Sequence, residues 1–250
     1  MAEERERFWE DPQAGAGRYF RQMDLVGVEG QSRLKEATVL IAGVGGLGGT
    51  AALYLAAAGV GKLILAHEGI TVLPDLNRQI LMSTEGIGRP RVEQAAEGLR
   101  RLNPEVAVET WNGRIEEAVR PLVRKADLVI DARYDFPERY ELNRLCREEG
   151  KPMVEAAMCG YEISLTTVVP GDTPCLECLY PIPPQEWEPL GFPVLGAVSG
   201  MAGCMAALEA IKWLTGKPGQ AGKLLRFDAL QFQSVEFDIS TAPRCDRCGA

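Results

Sequence analysis

The sequence predicts an α/β fold in which a mostly parallel sheet carries helices on both faces and continues into antiparallel strands beside a structural zinc site. Three observations support this prediction. A β-branched apolar run, Thr38–Ala42, leads into a glycine turn and a helix-forming segment. Short apolar strands and amphipathic helices then alternate to about residue 157. The last hundred residues carry alternating strand patterns and two Cys-x-x-Cys pairs.

Length favours one domain or one and a half, and composition favours a soluble globular protein; we expect a single domain over residues 1–250. The chain has 250 residues, 46% of them hydrophobic and 25% charged. Its net charge is −8 and its basic residues form no long run, so we expect no nucleic-acid partner and no membrane surface as a partner. The charged N-terminus lacks an apolar run, which predicts a cytoplasmic location. Two uncharged windows, 37–61 and 189–208, are broken by glycine or proline and are expected to be core elements rather than membrane spans.

The first part of the chain has the pattern of alternating strands and helices. After an N-terminal helical arm, 1–36, a nucleotide-binding half is expected over 37–160. Its predicted elements are the strand Thr38–Ala42, a helix to about Ala58, the strand Lys62–Ala66, a helix near Arg91–Arg101 ended by Asn103-Pro104, strands at Val106–Val108 and 127–131, a helix at Pro137–Glu149 and a strand at Pro152–Ala157.

The second half, 161–250, has a different pattern. Glu162–Val169 and Gln231–Asp238 alternate in polarity, which predicts antiparallel strands. A long apolar helix is expected between them at Ala197–Leu214. The proline-rich stretch Pro181–Pro193 is predicted to be a surface loop.

The glycine turn carries the clearest functional signal. In Gly43-x-Gly45-x-x-Gly48 the first glycine allows a tight turn, the second lets backbone approach a phosphate, and the third lets the helix pack on its strand. Gly46 belongs to the same turn. The helix then directs free N–H groups and its positive dipole end at an anion. Strand, turn and helix in this order predict a nucleotide-phosphate site.

Further candidates for a nucleotide site follow the second strand. Glu68 stands about twenty residues past the turn, where an acid commonly holds ribose hydroxyls, although an exposed strand-end acid fits equally well. His67, the one histidine of the chain, is either a ligand contact or a structural residue. Arg78 and Arg91 could bind phosphate, and Arg21 in the arm could reach a neighbouring subunit's site. The alternative for each of these three arginines is a side chain that contacts only solvent.

Two cysteine pairs, Cys175-x-x-Cys178 and Cys245-x-x-Cys248, predict a metal site. Each presents two thiolates from one tight turn, and together they complete the tetrahedral four-sulfur cage typical of structural zinc. The alternative is disulfides or unligated thiols, which the lack of a secretory signal disfavours. Four thiolates leave no open coordination position, so the zinc is expected to be structural.

Several short motifs together resemble the ThiF/MoeB/HesA family of adenylating enzymes, relatives of ubiquitin-activating enzymes. The matching segments follow the family's order and cover nearly the whole chain: Arg18–Gln22, Gly43–Gly48, Leu76–Gln79, Arg101–Pro104, Phe136–Tyr140, Thr173–Cys178 and Cys245–Cys248. The resemblance implies a Rossmann-like domain, a homodimer, a structural zinc, and adenylation of a carboxylate with ATP and Mg²⁺. That carboxylate is often the C-terminal Gly-Gly of a ubiquitin-like sulfur carrier; a small acid of cofactor biosynthesis is the other candidate.

The family's site residues are partly retained. Those that match are Arg21, Asn77, Arg78, Gln79 and the glycine turn. Arg91 replaces a lysine of the family, which keeps the charge and changes its geometry. The family's sulfur-transfer cysteine is absent, because Glu188–Gly191 stand at its position. We therefore expect an acyl-adenylate product and no thioester there. Cys159 and Cys204 remain possible nucleophiles, although Cys204 lies on a predicted apolar helix and is expected to belong to the core.

The acids of the family's site are altered. His67 stands where the family has an aspartate after the second strand, and Glu68 is expected to hold the ribose instead. Tyr134 stands where a magnesium-associated aspartate belongs. Asp131 and Asp135, on either side of it, are the acids expected to take over.

The sequence therefore supports two main functions. The first is a divergent adenylyltransferase in which Arg21, Arg78 and Arg91, together with Asp135, act on the phosphates of ATP. The second is a catalytically weak member of the family that binds a partner protein or a nucleotide. An NAD-dependent oxidoreductase ranks last, because it does not explain the Asn77–Gln79 segment or the cysteine pairs.

Overall fold

The structure is a computed structural model, and it describes residues 17–182 and 193–240 together with Cys245 and Cys248. Its helices are α1 (Met23–Glu36), α2 (Gly46–Ala58), α3 (Arg91–Leu102), α4 (Arg120–Lys125), α5 (Phe136–Glu148), α6 (Leu176–Leu179) and α7 (Gly196–Leu214). Its strands are β1 (Thr38–Ala42), β2 (Lys62–Ala66), β3 (Ala107–Trp111), β4 (Leu128–Asp131), β5 (Met153–Cys159), β6 (Glu162–Val168), β7 (Lys223–Asp228) and β8 (Gln233–Asp238). Short 3-10 helices cover Phe20–Gln22, Leu73–Asn77, Thr84–Gly86 and Glu117–Val119.

The described strands form one eight-stranded sheet in the order β3-β2-β1-β4-β5-β6-β7-β8. The first five in this order are parallel, and β6, β7 and β8 extend the sheet in antiparallel fashion. The strand order reverses between β1 and β4, where Ala42 and Asp131 are register partners. Ligands of open parallel sheets bind at such a switch point, beyond the carboxyl ends of the strands. The glycine turn lies there, because it follows β1 directly.

Helices cover both faces of the parallel strands, which confirms the predicted Rossmann-like α/β class. Val39 and Ile41 of β1 belong to the core cluster shared with α2, α3 and α7. Leu40 and Ala42 belong to the cluster on the other face, shared with α4 and α5. Because β1 is buried on both faces, it reads in the sequence as an unbroken apolar run.

The strands of the second half differ from the prediction in one respect. β7 has no counterpart among the predicted strands, because its sequence, Lys-Leu-Leu-Arg-Phe-Asp, does not alternate in polarity. It lies between β6 and β8, so the two predicted antiparallel strands each pair with β7 and not with each other. β3 is also longer than predicted and runs to Trp111.

The boundary predicted at residue 160 lies in the turn between β5 and β6, within one continuous sheet. Most of the predicted loop Pro181–Pro193 lies outside the described residues. In the described part of the chain, α7 is the one helix long and apolar enough to cross a membrane. It packs against α2 and β5, and its buried residues include Ala202, Ala206 and Ala210, which is the environment of a core helix.

Candidate functional site

The glycine turn closes against the end of β4. Gly43 has a left-handed backbone with a φ of 102°, and a Cβ there would lie 2.5 Å from the carbonyl oxygen of Ala132. A Cβ on Gly48 would lie 1.8 Å from the carbonyl oxygen of Gly43. The fold itself therefore requires both glycines, Gly43 for its conformation and Gly48 for the close packing of α2 on the turn.

Gly45 differs from these two, because a Cβ there would meet open space. Its nearest neighbour would be Nε2 of Gln79 at 4.0 Å, and its φ of −71° is accessible to any residue. None of the described residues requires a glycine at this position. The space lies at the N-terminus of α2, where a phosphate would come close to the backbone.

The N-terminus of α2 offers backbone donors to such a ligand. Gly45 is the N-cap, and the amide of Gly49 bonds back to its carbonyl oxygen at 2.8 Å. The amides of Gly46, Leu47 and Gly48 come earlier and have no acceptor within the helix. These donors and the positive end of the helix dipole favour an anion at this point.

Two side chains lie beside the same helix end. A Cβ on Gly46 would be 3.1 Å from Cβ of Arg78 and 2.4 Å from Oγ of Ser199. Arg78 is therefore close to the turn. Ser199 is 3% exposed and comes from the first turn of α7, more than 100 residues along the chain; no sequence signal points to it.

His67 contacts the turn from β2. Its Nδ1 atom accepts a hydrogen bond from the backbone N–H of Val44 at 2.9 Å. Burial, together with the positive charges of Arg133 and Arg91, lowers the pKa of His67 to about 3. The ring is neutral at physiological pH, and its Nδ1 atom is occupied by the hydrogen bond to Val44. This environment favours a structural role for His67 over contact with a ligand. Glu68 beside His67 is exposed, and its backbone carbonyl accepts from Nη1 of Arg91 at 3.2 Å.

The buried carboxylate of Asp75 joins two of the arginines predicted to bind phosphate. Its Oδ2 pairs with Nη2 of Arg91 at 2.8 Å, and its Oδ1 pairs with Nη2 of Arg78 at 3.3 Å. The sequence analysis treats these arginines as separate residues. In the structure they form one group with Asp75, which we call the Asp75 cluster. Charge alone does not suggest an acid inside a phosphate-binding segment, so Asp75 is not among the predicted site residues.

The two predicted amide side chains of this segment have different environments. Oδ1 of Asn77 accepts from Nη1 of Arg78 at 2.9 Å, and its amide donates to the carbonyl oxygen of Val194 at 3.4 Å. Gln79 is buried, and its Oε1 has no hydrogen-bond partner among the described residues. The atom of Gln79 nearest to the space at Gly45 is Nε2, whereas the unpartnered Oε1 favours a ligand that donates a hydrogen bond.

Both carboxylate oxygens of Asp131 bind groups of the protein. The residue is fully buried; Oδ1 accepts from the backbone N–H of Arg133 at 3.1 Å, and Oδ2 pairs with Nε of Arg139 at 2.8 Å. Arg139 also pairs with the buried Glu155. Both oxygens of Asp131 therefore stabilise the end of β4, and neither is open to a metal ion, in contrast to the expected magnesium role.

The residues that follow lie nearer the surface. Asp135 is the N-cap of α5, and its Oδ2 lies 3.4 Å from Nη2 of Arg114. Tyr134 is 69% exposed, and the guanidinium of Arg133 lies 5.6 Å from the centre of its ring. Of the two acids expected to replace a magnesium ligand, Asp135 is thus the one that reaches the surface.

Arg133 is a further charged residue beside the glycine turn. It is 8% exposed, and its Cδ would lie 3.3 Å from a Cβ on Gly43. Its Nε lies 2.7 Å from Oε2 of Glu138, which balances the charge. The one sequence signal for Arg133 is its place directly after a strand at the switch point.

Arg21 lies far from the turn of its own chain. Its neighbours in the arm are fixed at the opposite end of α2: Gln22 donates to the carbonyl oxygen of Ala58 at 2.9 Å, and the ring of Tyr19 lies against Gly59. α2 has 13 residues, which corresponds to about 20 Å. Arg21 is exposed there and does not reach the glycine turn of the same subunit.

The four cysteines of the two pairs come together in space. Their Sγ atoms all lie within 4.8 Å of one another, with Cys175 3.9 Å from Cys178 and 3.7 Å from Cys245, and Cys178 3.4 Å from Cys248. Zinc–sulfur bonds of roughly 2.3 Å in a tetrahedron place the sulfurs about 3.8 Å apart. The cluster is therefore compatible with a structural zinc site.

Comparison with known proteins identifies the group to which the chain belongs. The sequence profile described as "ThiF family" matches residues 19–250. This chain belongs to the ThiF family. It is 49% identical over 236 residues to the protein HesA, heterocyst, of Trichormus variabilis, covering 93% of this chain and 88% of that protein. It is 38% identical over 239 residues to the sulfur carrier protein ThiS adenylyltransferase of Escherichia coli, covering 93% and 94%.

The fold is shared with a solved structure of Escherichia coli MccB with ATP. The TM-score is 0.83 at 24% identity, and the match covers 94% of this chain and 75% of MccB. The resemblance inferred from the motifs is thus confirmed for the ThiF family and for its fold. Relatives in the family are adenylyltransferases, which supports carboxylate activation by adenylation as the general chemistry of this chain.

Three cysteine positions outside the four-cysteine cluster bear on a possible enzyme-bound intermediate. The segment Glu188–Gly191, where the family has a sulfur-transfer cysteine, lies outside the described residues. Cys204 lies on the apolar helix α7, which suggests a core position, but it is exposed. The reason is that it lies on the side of α7 next to the exposed Tyr54 and Leu208, away from the sheet. Cys159 is exposed as well.

Proposed function

We propose that this chain is an ATP-dependent adenylyltransferase that activates a carboxylate as an acyl-adenylate and releases pyrophosphate. The observation that carries the proposal is the unfilled space at Gly45. It lies at the donor-rich start of α2 and beside Arg78, and none of the described residues fills it. ATP is preferred over NAD because the Asp75 cluster places two arginines in this region.

The proposed reaction needs no covalent intermediate on the enzyme. An oxygen of the substrate carboxylate attacks the α-phosphorus of ATP, and a new carboxyl–phosphate bond forms. The bond from the α-phosphorus to the bridging oxygen of pyrophosphate breaks, and pyrophosphate leaves with both electrons of that bond. Arg78, Arg91 and the α2 amides would offset the charge that develops on the phosphates, and Gln79 would bind a donor group of the ligand.

The proposal includes Mg²⁺, which neutralises phosphate charge in reactions of this kind. Asp131 does not fit as a ligand because both of its oxygens bind arginine or backbone. Asp135 fits better, since it lies at the N-terminus of α5 with its side chain partly exposed. We assign the magnesium contact to Asp135 and the phosphates; Tyr134, on the surface beside it, would border the nucleotide.

A structural zinc in the four-cysteine cluster is part of the same proposal. The four sulfurs fit a tetrahedral ion, and four thiolates leave no place for a substrate, so the metal would stabilise the fold. The proposed location is the cytoplasm, where reducing conditions keep the four thiols available for the metal.

The substrate is proposed to be the C-terminus of a protein of the ubiquitin-like sulfur-carrier type, with a small acid as the second candidate. The Escherichia coli relative is named as the adenylyltransferase of a sulfur carrier protein, ThiS. β8 is fully exposed along one edge of the sheet, and Val235 and Phe237 are at least half exposed there. An exposed, partly apolar edge strand suits a protein partner better than a small acid.

A homodimer completes the proposal, with Arg21 acting on the neighbouring subunit's ATP. Within its own subunit Arg21 lies at the wrong end of α2. The family resemblance places an N-terminal arginine of this kind across a dimer interface. A two-fold dimer would bring the arm of one subunit to the glycine turn of the other.

The alternative is a family member that binds a partner or a nucleotide with little catalysis. Its support is the altered set of acids: Tyr134 in place of a carboxylate, and Asp131 bound to Arg139. The retained arginines and the space at Gly45 favour the enzyme. The two functions differ in one measurable respect, which is turnover of the α-phosphate.

The test is exchange of labelled pyrophosphate into ATP. The assay contains Mg²⁺ and one carboxylate at a time: a purified sulfur carrier of the ThiS type, a synthetic peptide ending in Gly-Gly, or small organic acids. We expect exchange that depends on the carboxylate and is lost in Gly45→Val. ATP binding without exchange for any carboxylate contradicts the enzyme and supports the binding alternative.

A further inference from the structure

The carboxylate of Asp75 is fixed by its own loop. It belongs to the 3-10 helix Leu73–Asn77 and is 5% exposed. Its Oδ2 accepts the backbone N–H of Val72 at 3.1 Å. Its backbone carbonyl oxygen accepts from the amides of Arg78 and Gln79 at 3.1 and 2.9 Å. Backbone and side chain of Asp75 are therefore both held in place, so it is a rigid anchor for the side chains that contact it.

Arg91 contacts this anchor at two points. Its Nη2 and Nε lie 2.8 and 3.3 Å from Oδ2 of Asp75, and its Nη1 donates to the carbonyl oxygen of Glu68 at 3.2 Å. A guanidinium has five N–H groups. These contacts use one on each of the three nitrogens, so two of the five have no acceptor in the described residues and are available to a ligand.

Arg78 contacts the other oxygen of the same carboxylate. Its Nη2 lies 3.3 Å from Oδ1 of Asp75, and its Nη1 donates to the carbonyl oxygen of Pro74 and to Oδ1 of Asn77, both at 2.9 Å. Asp75 thus binds one arginine with each oxygen. The cluster carries two positive charges and one negative charge. The carboxylate of Asp75 offsets the electrostatic repulsion between the two guanidinium groups.

We propose that Asp75 is a positioning residue of the adenylation reaction, which holds Arg78 and Arg91 as one rigid unit directed at the phosphates of ATP. This inference rests on the proposed function. Arginine side chains are flexible and lose orientation when their partner is removed. Charges that are already oriented stabilise a transition state without reorganisation. Asp75 therefore acts through the arginines and does not touch the substrate.

The variant Asp75→Asn separates two effects of the cluster: the orientation of the two arginines, and the attraction between the net charge of the cluster and ATP. It removes one negative charge from the cluster, which favours binding of anionic ATP, while it releases the two arginines from their fixed orientation. We expect kcat for pyrophosphate exchange to fall about ten-fold or more, with KM for ATP changed less than about three-fold. A purely structural role lowers the melting temperature without this split between kcat and KM. An inhibitory role of Asp75 raises kcat.

A double-mutant cycle with Arg91→Gln tests whether Asp75 acts through Arg91. If it does, Asp75→Asn costs less than about three-fold in kcat once Arg91 is replaced, because the group that it positions is gone. Glu149→Gln is the matched control: Glu149 also binds two arginines, Arg120 at 2.9 Å and Arg124 at 2.8 Å, but on the α4–α5 side of the molecule. Its kcat is expected to match that of the wild type.

The outcomes are distinguishable. Wild-type protein that shows no exchange with any carboxylate overturns the proposed function, and this inference with it. Wild-type exchange with additive effects of Asp75→Asn and Arg91→Gln, or with a raised kcat in Asp75→Asn, overturns the role of Asp75 alone. If Asp75→Asn does not fold, Arg91→Lys replaces it, since lysine keeps the charge and loses the two-point contact; an unchanged kcat in Arg91→Lys then overturns the inference.

Discussion

The Nδ1 atom of His67 accepts a hydrogen bond from the backbone N–H of Val44 at 2.9 Å, and this bond ties the end of β2 to the glycine turn after β1. An imidazolium has no acceptor, so protonation of His67 breaks the bond. The neutral ring is maintained by burial, which lowers the pKa to about 3. The shape of the glycine turn therefore depends on a histidine that stays unprotonated.

This relationship predicts a loss of stability in acid. The pKa of His67 is about 3 in the folded protein and about 6.5 when unfolded, so the unfolded chain takes up the proton first as the pH falls. The stability that the neutral ring contributes is complete above pH 6.5 and decreases by about 1.4 kcal/mol per pH unit towards pH 3. Urea unfolding at pH 7.5 and 4.5 measures it.

The variant His67→Asn is the control for that measurement. The amide oxygen of asparagine accepts a hydrogen bond and does not titrate in this range. Between the two pH values the wild type is expected to lose about 2–3 kcal/mol more than the variant, while the carboxylates contribute equally to both. Equal losses in the two proteins contradict the assignment.

Gly45→Val is expected to weaken binding of Mg·ATP by ten-fold or more, which is about 1.4 kcal/mol, and to leave the melting temperature unchanged. The added Cβ would contact none of the described residues more closely than 4.0 Å, whereas the side chain would occupy the proposed place of a phosphate. Titration calorimetry and thermal unfolding measure the two effects. The comparison variant is Gly48→Ala, whose Cβ would lie 1.8 Å from the Gly43 carbonyl oxygen and should destabilise the fold. Tighter binding of NAD than of ATP by the wild type contradicts the preference for ATP.

The four-cysteine cluster should contain about one zinc ion per chain in purified protein, as measured by plasma emission spectrometry. Cys178→Ser or Cys248→Ser should lose the metal and several kcal/mol of stability, because metal binding is coupled to folding. Cys159→Ser is the control, since Cys159 is exposed and outside the cluster. Metal-free protein with an unchanged melting temperature is incompatible with this prediction.

Arg21→Ala should reduce kcat/KM for pyrophosphate exchange by roughly 10²-fold, the usual cost of removing one charged stabiliser of a transition state. Arg33→Ala, on the exposed surface of α1, should leave the rate unchanged. Mixing the Arg21→Ala and Gly45→Val proteins should restore one working site in each mixed dimer. If Arg21 acts across the dimer, both defects fall in the same site, and the other site combines an intact Gly45 with the partner's intact Arg21. A monomer by light scattering, or no recovery after subunit exchange, rules out action across the dimer.

The predictions from sequence were most successful where the signal is local. β1, β2 and α2 have the expected positions because a buried apolar run, a glycine turn and a helix-forming segment follow each other directly. β7 is not predicted, because its strand conformation depends on pairing with β6 and β8. Such pairing does not require an alternating pattern of polar and apolar residues in the sequence. The exposed position of Cys204 was missed because an apolar helix sequence does not show which side faces the sheet.

By itself, the sequence determined the family, the α/β class, the glycine turn and the two cysteine pairs, since each depends on residues that are neighbours in the chain. The tertiary structure alone decided which side chains pair. His67 meets Val44 across 23 residues, Arg91 meets Asp75 across 16, and Arg139 meets Asp131 across 8. The physical reason is that these partners come together only when parallel strands bring their carboxyl ends to one edge of the sheet, where burial makes a charge bind its counter-charge instead of water.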